Sequence, residues 1–241
     1  MNGTPSDQQL LHIVTGSAPN TIADVVVMMQ SIDQLLPGGD GLKWFNRLYL
    51  MVTQQVGSRP PAGGWKDAAW ISRLDVVFAG FYFAAVAGVL TQSTETPSSW
   101  RALFESRFNA GVDRIQFALA GMNAHINHDL ALALLQTDNE LQITPGLSSP
   151  EHDDYERVNG LLKTVMPAAL RILATGLVGE LAQDTGKIGR FLAIWDIEVA
   201  RDLAWDFADH LSGLNGLSRT LALTAQDQLT GVIGRSLLLP V

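Results

Sequence analysis

Five polar side chains, Asn123, His125, Asn127, His128 and Asp129, fall within seven residues of a helical run from Ile115 to Leu135 that is otherwise apolar except for Gln116. At about 100° per residue, His125 and Asp129 lie one turn apart on the same face. Asn123 and Asn127 share a roughly opposite face, and His128 sits to the side, nearer Gly121 and Leu132. A carboxylate hydrogen-bonded to one imidazole nitrogen fixes the tautomer and raises the basicity of the other nitrogen. That arrangement makes a histidine a general base or acid near neutral pH. The same spacing offers a nitrogen and an oxygen ligand for Fe²⁺ or Zn²⁺, if other helices supply the rest. The pair can also simply satisfy itself inside a packed core. The two asparagines weigh against that third option, since each buried amide adds groups that need partners.

Other residues are candidates to join the pair. Asp75 precedes a long uncharged stretch, with Phe78 and Tyr82 following at i+3 and i+7. It reads either as charge complementarity at a helix N-terminus or as part of the site. Arg201 and Trp205 are spaced i, i+4, with Glu198 on the same face. They form either a solvated contact or an inward-reaching arginine that orients Asp129 or Asp75, or binds an anionic group. His152, Asp153 and Asp154 stand where a loop enters a helix and read as capping residues, with Asp154 able to reach a metal. His12 and His210 show no partner pattern.

The catalytic set expected is therefore His125, Asp129 and Arg201, with Asn123, Asn127, Tyr82 and Trp205 contacting substrate. No cofactor is required. The metal-dependent alternative draws on His125, Asp129, His128, Asp75 and Asp154.

These residues need helices to position them, and helical periodicity dominates the chain. Helices are expected over Thr21–Leu36, capped by Asn20 or Thr21, and over Gly41–Val56, with Trp44, Phe45, Leu48, Val52 and Val56 as one stripe. A loop beginning at Arg59 separates them from a helix over Lys66–Leu90. Pro97 starts a long helix reaching Leu135, with a break near Gly111 or Gly121, and a loop over Thr137–Pro150 follows. Further helices span Glu151–Gln183, kinked or divided by Pro167, then Lys187–Leu211 and Ser218–Leu238. The pattern predicts an all-α, single-domain bundle of about seven helices over residues 1–241, with a buried central apolar helix.

Composition narrows the function. Charged residues make up 17% of the chain, below the usual share of about 25%, which favours a large interior or an apolar pocket. The formal charge of −8 argues against nucleic-acid binding. The absence of cysteine removes disulfides, thiolate metal sites and a cysteine nucleophile, and fits a cytoplasmic protein. No charge interrupts Val76–Thr94, a run almost long enough to span a membrane. It lacks basic and aromatic anchors at its far end, so a buried helix is expected and membrane insertion is not. The six tryptophans, Trp44, Trp65, Trp70, Trp100, Trp195 and Trp205, are expected as core anchors. Fingerprints for phosphate-binding loops, dinucleotides, nucleophile elbows, zincins and di-iron bundles are missing.

The segment Gly121-Met-Asn-Ala-His-Ile-Asn-His-Asp-Leu130 resembles the hallmark of a bacterial family of helical proteins, the domain of unknown function numbered 5995. The likeness extends to Arg73–Phe78 with Tyr82, to Trp100 and Phe104, to Asp153–Asn159 and to Ala200–Trp205. It covers a core of about 73–211, with no counterpart in the first 60 residues or after Leu211. The resemblance implies that the polar cluster, Asp75, Asp154, Asn159, Arg201 and Trp205 share one site. It implies no chemistry. The leading expectation is an enzyme acting on a largely apolar small molecule by acid–base catalysis from the His125–Asp129 pair. The reaction would be a cyclisation, isomerisation, dehydration or hydrolysis, natural-product tailoring included. A metal enzyme and a non-catalytic binding or structural protein, which could self-associate, are the alternatives.

Overall fold

The computed structural model describes residues 4–58, 60–174 and 196–240. Among these the chain is helical throughout, without strands. Helix α1 (Pro5–Thr15) was not expected from apolar periodicity, yet its start is well encoded. Thr4 and Asp7 form a reciprocal capping box, with proline at the first helical position. The same device opens α2 (Ile22–Leu35), where Thr21 accepts from the Asp24 amide and Asp24 accepts from the Thr21 amide.

Helix α3 (Gly41–Ser58) and helix α6 (Arg114–Ala124) run side by side in the same direction. Their register is set by two glycines. A Cβ on Gly41 would overlap the Phe117 ring, and a Cβ on Gly121 would overlap Phe45. Each glycine thus admits an aromatic ring from the opposite helix, one turn apart on both. Gly121, expected as a possible break, instead lies inside a continuous rod. Arg114–Ala124 passes into a π-helical segment, His125–Asp129, and then into α7 (Leu130–Leu141). The expected break near Gly111 is real: α5 (Ser98–Ser106) ends there, before the rod begins. The rod also runs past Thr137, ending at Gln142 in the left-handed conformation.

Helix α4 (Ala68–Leu90) is long and apolar enough to cross a membrane. It packs against α1, α2, α7 and the π-segment, and it buries Trp70, Leu74, Val77, Tyr82, Phe83 and Val86. This is the central apolar helix. Its cap is Asp67, whose side chain accepts from the Trp70 amide. Asp75 therefore lies two turns inside the helix, too far in to complement its N-terminus.

Helix α8 (Pro150–Ala174) carries Pro167 without being divided over its described length. The expected continuation to Gln183, the helix start at Lys187 and Trp195 lie outside the described residues. Helices α9 (Ile197–Ser212) and α10 (Gly216–Leu237) complete the fold. Counting the rod as one, nine helices are described, where about seven were expected. A buried ion cluster joins three of them: Arg107 at the end of α5 makes two hydrogen bonds to Asp40 and one to Asp7. One hydrophobic core extends from Leu10 to Leu238.

Candidate functional site

The π-segment coincides with the polar cluster. A single π-turn widens the helix and leaves part of the i→i+4 ladder out of register, and such turns are concentrated at functional sites. Here it carries His125, Ile126, His128 and Asp129, all buried. His125 Nδ1 lies 2.9 Å from Asp129 Oδ2. The same oxygen accepts the Trp100 indole N–H at 2.9 Å. The carboxylate is therefore held from two sides, and it holds the imidazole in turn.

Aromatic rings enclose His125. Phe78 stacks on one face, with centroids 3.5 Å apart and planes 5° from parallel. Tyr49 meets it edge-on at 4.5 Å and Phe45 at 5.6 Å. Tyr49 follows from the glycine register: it stands one turn beyond Phe45 on α3, as His125 stands one turn beyond Gly121 on the rod.

Two spaces border the pair. His125 lines an inner cavity of about 80 Å³, walled mainly by apolar side chains such as Leu48, Leu74, Phe78 and Leu162. Tyr49, Asp75 and Arg201 are its other polar neighbours. Asp129 borders an outer, more polar cleft of about 990 Å³ between α4, α5 and α10, together with His128, Thr96 and Asp227. The His–Asp pair thus spans the wall between a small greasy cavity and a broad polar cleft.

Burial controls the ionisation here. It pushes the His125 imidazole well below its usual range and the Asp129 carboxyl well above its own, against the pull of the Trp100 hydrogen bond. Asp75, with burial as its sole influence, is raised to about 7. Tyr49 is pushed up by burial, then by the nearby Asp75 and Asp129. Burial favours the neutral imidazole. When Asp129 is ionised, the form the Trp100 hydrogen bond favours, the ring's hydrogen lies on Nδ1, directed at Asp129, and Nε2 carries a lone pair. That nitrogen has no hydrogen-bond partner.

The other expected residues are placed as follows. Asn123 and Asn127 are hydrogen-bonded to each other at 3.0 Å, and Asn123 donates to the Thr230 carbonyl. Gln226 donates to the Asn127 carbonyl. This face docks α10 rather than lining the inner cavity. His128 Nδ1 lies 3.9 Å from Asp227, beyond hydrogen-bond range, and faces the outer cleft. Tyr82 packs behind the site against Phe45 and Trp100, its hydroxyl 3.3 Å from Asn46. Trp205 belongs to a separate cluster with Trp70, His152 and Tyr155.

Arg201 does point inward, but neither to Asp129 nor to Asp75. Its Nε donates to Asn159 and its Nη2 to the Tyr155 carbonyl, with its guanidinium 4.0 Å from the Tyr155 ring. Glu198 pairs with Lys163 instead of Arg201. Asp154 accepts the amides of Lys66 and Asp67 at 2.9 and 2.6 Å, which anchors the approach to α4. His152 and Asp153 do not cap their own helix: Ser149 accepts the His152 amide, and Asp153 pairs with Lys66. Among the described residues, no three histidine or carboxylate side chains gather as a metal site would require. The metal set expected from sequence is thus not assembled. Tyr49 was not anticipated, because only the α3–rod register brings it to His125.

Fold and site together define an all-helical protein with a buried histidine–aspartate pair on a π-turn. The chain belongs to the family of unknown function DUF5995, whose model matches residues 22–240. The match extends well beyond the core of 73–211 suggested by the motifs, and it includes α2, α3 and α10. No curated protein and no solved structure matches the chain.

Proposed function

We propose that the protein is an enzyme that moves a proton on a small, largely apolar molecule bound in the inner cavity. The observation that carries this reading is the unpartnered Nε2 of His125, at an apolar cavity, on an imidazole whose other nitrogen is fixed by Asp129. A neutral imidazole so oriented accepts a proton at Nε2, and the Asp129 carboxylate stabilises the imidazolium that forms. Trp100 keeps Asp129 in place through the step. Isomerisation, dehydration, cyclisation and hydrolysis all suit this arrangement.

Size limits the substrate. Drug-sized ligands fill pockets of about 300–1,000 Å³, so the inner cavity favours a compact molecule over a bulky natural product. The test is a panel of small ketones, esters, epoxides and alkenols incubated with the protein in D₂O and followed by NMR, which reports both turnover and solvent deuterium uptake. Uptake or turnover is expected with the native chain and not with His125→Ala or Asp129→Ala of unchanged helicity. Normal rates in both variants would sink the proposal.

A further inference from the structure

Three buried polar atoms without hydrogen-bond partners come from the lining of the inner cavity: Tyr49 Oη, Asp75 Oδ2 and His125 Nε2. They are delivered by three different elements, α3, α4 and the π-segment. Tyr49 lies near Thr53, but neither hydroxyl completes an aligned bond. A buried polar atom left without a partner costs about 1–3 kcal/mol. Of the eight such side-chain atoms among the described residues, these three are gathered at one cavity. A ligand that bonds to all three recovers that cost.

Their hydrogen-bonding capacities describe the ligand. Tyr49 offers an O–H. Asp75 offers an O–H when protonated, and burial favours that form, while Arg201 on the same cavity is engaged by Asn159 and Tyr155. His125 Nε2 offers a lone pair in the tautomer whose Nδ1 hydrogen is directed at the Asp129 carboxylate. Two donors and one base match a carbonyl group with a hydrogen on the adjacent carbon. An anion fits less well, since Arg201 already donates through Nε and Nη2 to Asn159 and Tyr155.

We propose that the inner cavity binds a small neutral carbonyl compound of about three to five non-hydrogen atoms, its oxygen held by Tyr49 and Asp75 and its adjacent carbon turned to His125. This rests on the acid–base reading for its chemistry and assigns Asp75 as the second catalytic residue. His125 Nε2 removes the proton from the carbon next to the carbonyl, and the electron pair of that C–H bond forms the C=C bond. The carbonyl oxygen takes the Asp75 proton, which leaves an enol, an imidazolium and a carboxylate. Return of a proton to the same carbon exchanges its hydrogen with solvent. In a β,γ-unsaturated carbonyl, its return at the γ-carbon of the dienol, with the enol proton going back to Asp75, shifts the double bond.

The test is a ligand-observed NMR titration of the full chain with three probes. These are 2-butanone, 2-methyl-1-butene (the same shape with CH₂ for oxygen) and butyrate. The native chain is expected to bind 2-butanone at least tenfold more tightly than either of the others. Tyr49→Phe and Asp75→Leu should each reduce the preference over the hydrocarbon about tenfold, and Asp75→Asn, which keeps a donor, should reduce it less. Equal binding of ketone and hydrocarbon, tighter binding of butyrate, or an unchanged preference in folded Asp75→Leu overturns the proposal. Melting curves identify variants that fail to fold, and Tyr49→Phe provides the same readout if Asp75→Leu is one of them. Ketone binding without deuterium uptake would keep the site and remove the acid–base reading. Uptake that survives Asp75→Leu would remove only the assignment of Asp75.

Discussion

Tyr49 and His125 meet ring edge to ring at 4.5 Å, each one turn beyond a glycine–phenylalanine contact that joins their helices. Gly121 is therefore a positioning residue for the site, although it does not line the inner cavity. Gly121→Ala places a methyl group on the Phe45 ring and forces α3 away from the rod. Overpacking of this kind costs about 1–3 kcal/mol, read as a lower urea midpoint. Phe45→Leu in the same chain should restore part of the loss. If Gly121→Ala is as stable as the native protein, the register does not depend on this contact.

Asp129 anchors two donors through one oxygen. Asp129→Asn keeps the size of the side chain but loses the charge that stabilises an imidazolium, so the proton-transfer rate should fall about 10²- to 10⁴-fold. Trp100→Phe removes one of the two donors and should destabilise the fold by about 1–3 kcal/mol. Its effect on rate should be smaller, because the His125–Asp129 contact remains. A rate loss in Trp100→Phe larger than in Asp129→Asn would reverse these roles.

The buried Asp75 carboxyl makes stability pH-dependent in a defined direction. Its pKa is about 7 when folded and near 3.8 when unfolded. Between these values the unfolded chain releases a proton that the folded chain retains, so stability falls as pH rises, by up to about 1.4 kcal/mol per pH unit. Below the lower value and above the upper one, Asp75 adds no slope. His125, lowered by burial, acts in the opposite sense below its usual 6.5. The Asp75 contribution is isolated by comparing native and Asp75→Asn chains in urea titrations at successive pH values. The variant should gain on the native chain from pH 4 to 7 and then hold a constant advantage.

Asp154 acts on the fold, in contrast to the metal-ligand role considered for it. Asp154→Ala strands the amides of Lys66 and Asp67 at the entry to α4 and should cost about 2–4 kcal/mol. Elemental analysis of untagged protein should give the same transition-metal content for the native chain and the variant. A bound metal lost specifically in Asp154→Ala would return this residue to the site.

Much of this was legible in the chain. Helix type, the approximate ends of most helices and the buried character of Ala68–Leu90 follow from apolar spacing and caps. So does the His125–Asp129 pairing, because i and i+4 are neighbours on any helix. The short helix α1 escaped because its apolar residues are few, although Thr4, Pro5 and Asp7 mark its start.

Local spacing stops at the surface of one helix. It cannot say that the rod becomes a π-turn at His125, since the widening answers to packing by neighbouring helices. Nor can it say that Arg201 is held by Tyr155 and Asn159, or that Asp75 opens onto the same cavity as His125. Tyr49 shows the reason most directly. Its role depends on a contact between α3 and the rod, residues about 75 apart in sequence, where two glycines decide how closely and in what register the helices approach. The sequence by itself determined an all-helical chain with a buried His–Asp pair. The tertiary structure decided which face of that pair meets the apolar cavity and which side chains join it there, because those depend on non-local packing that no periodicity encodes.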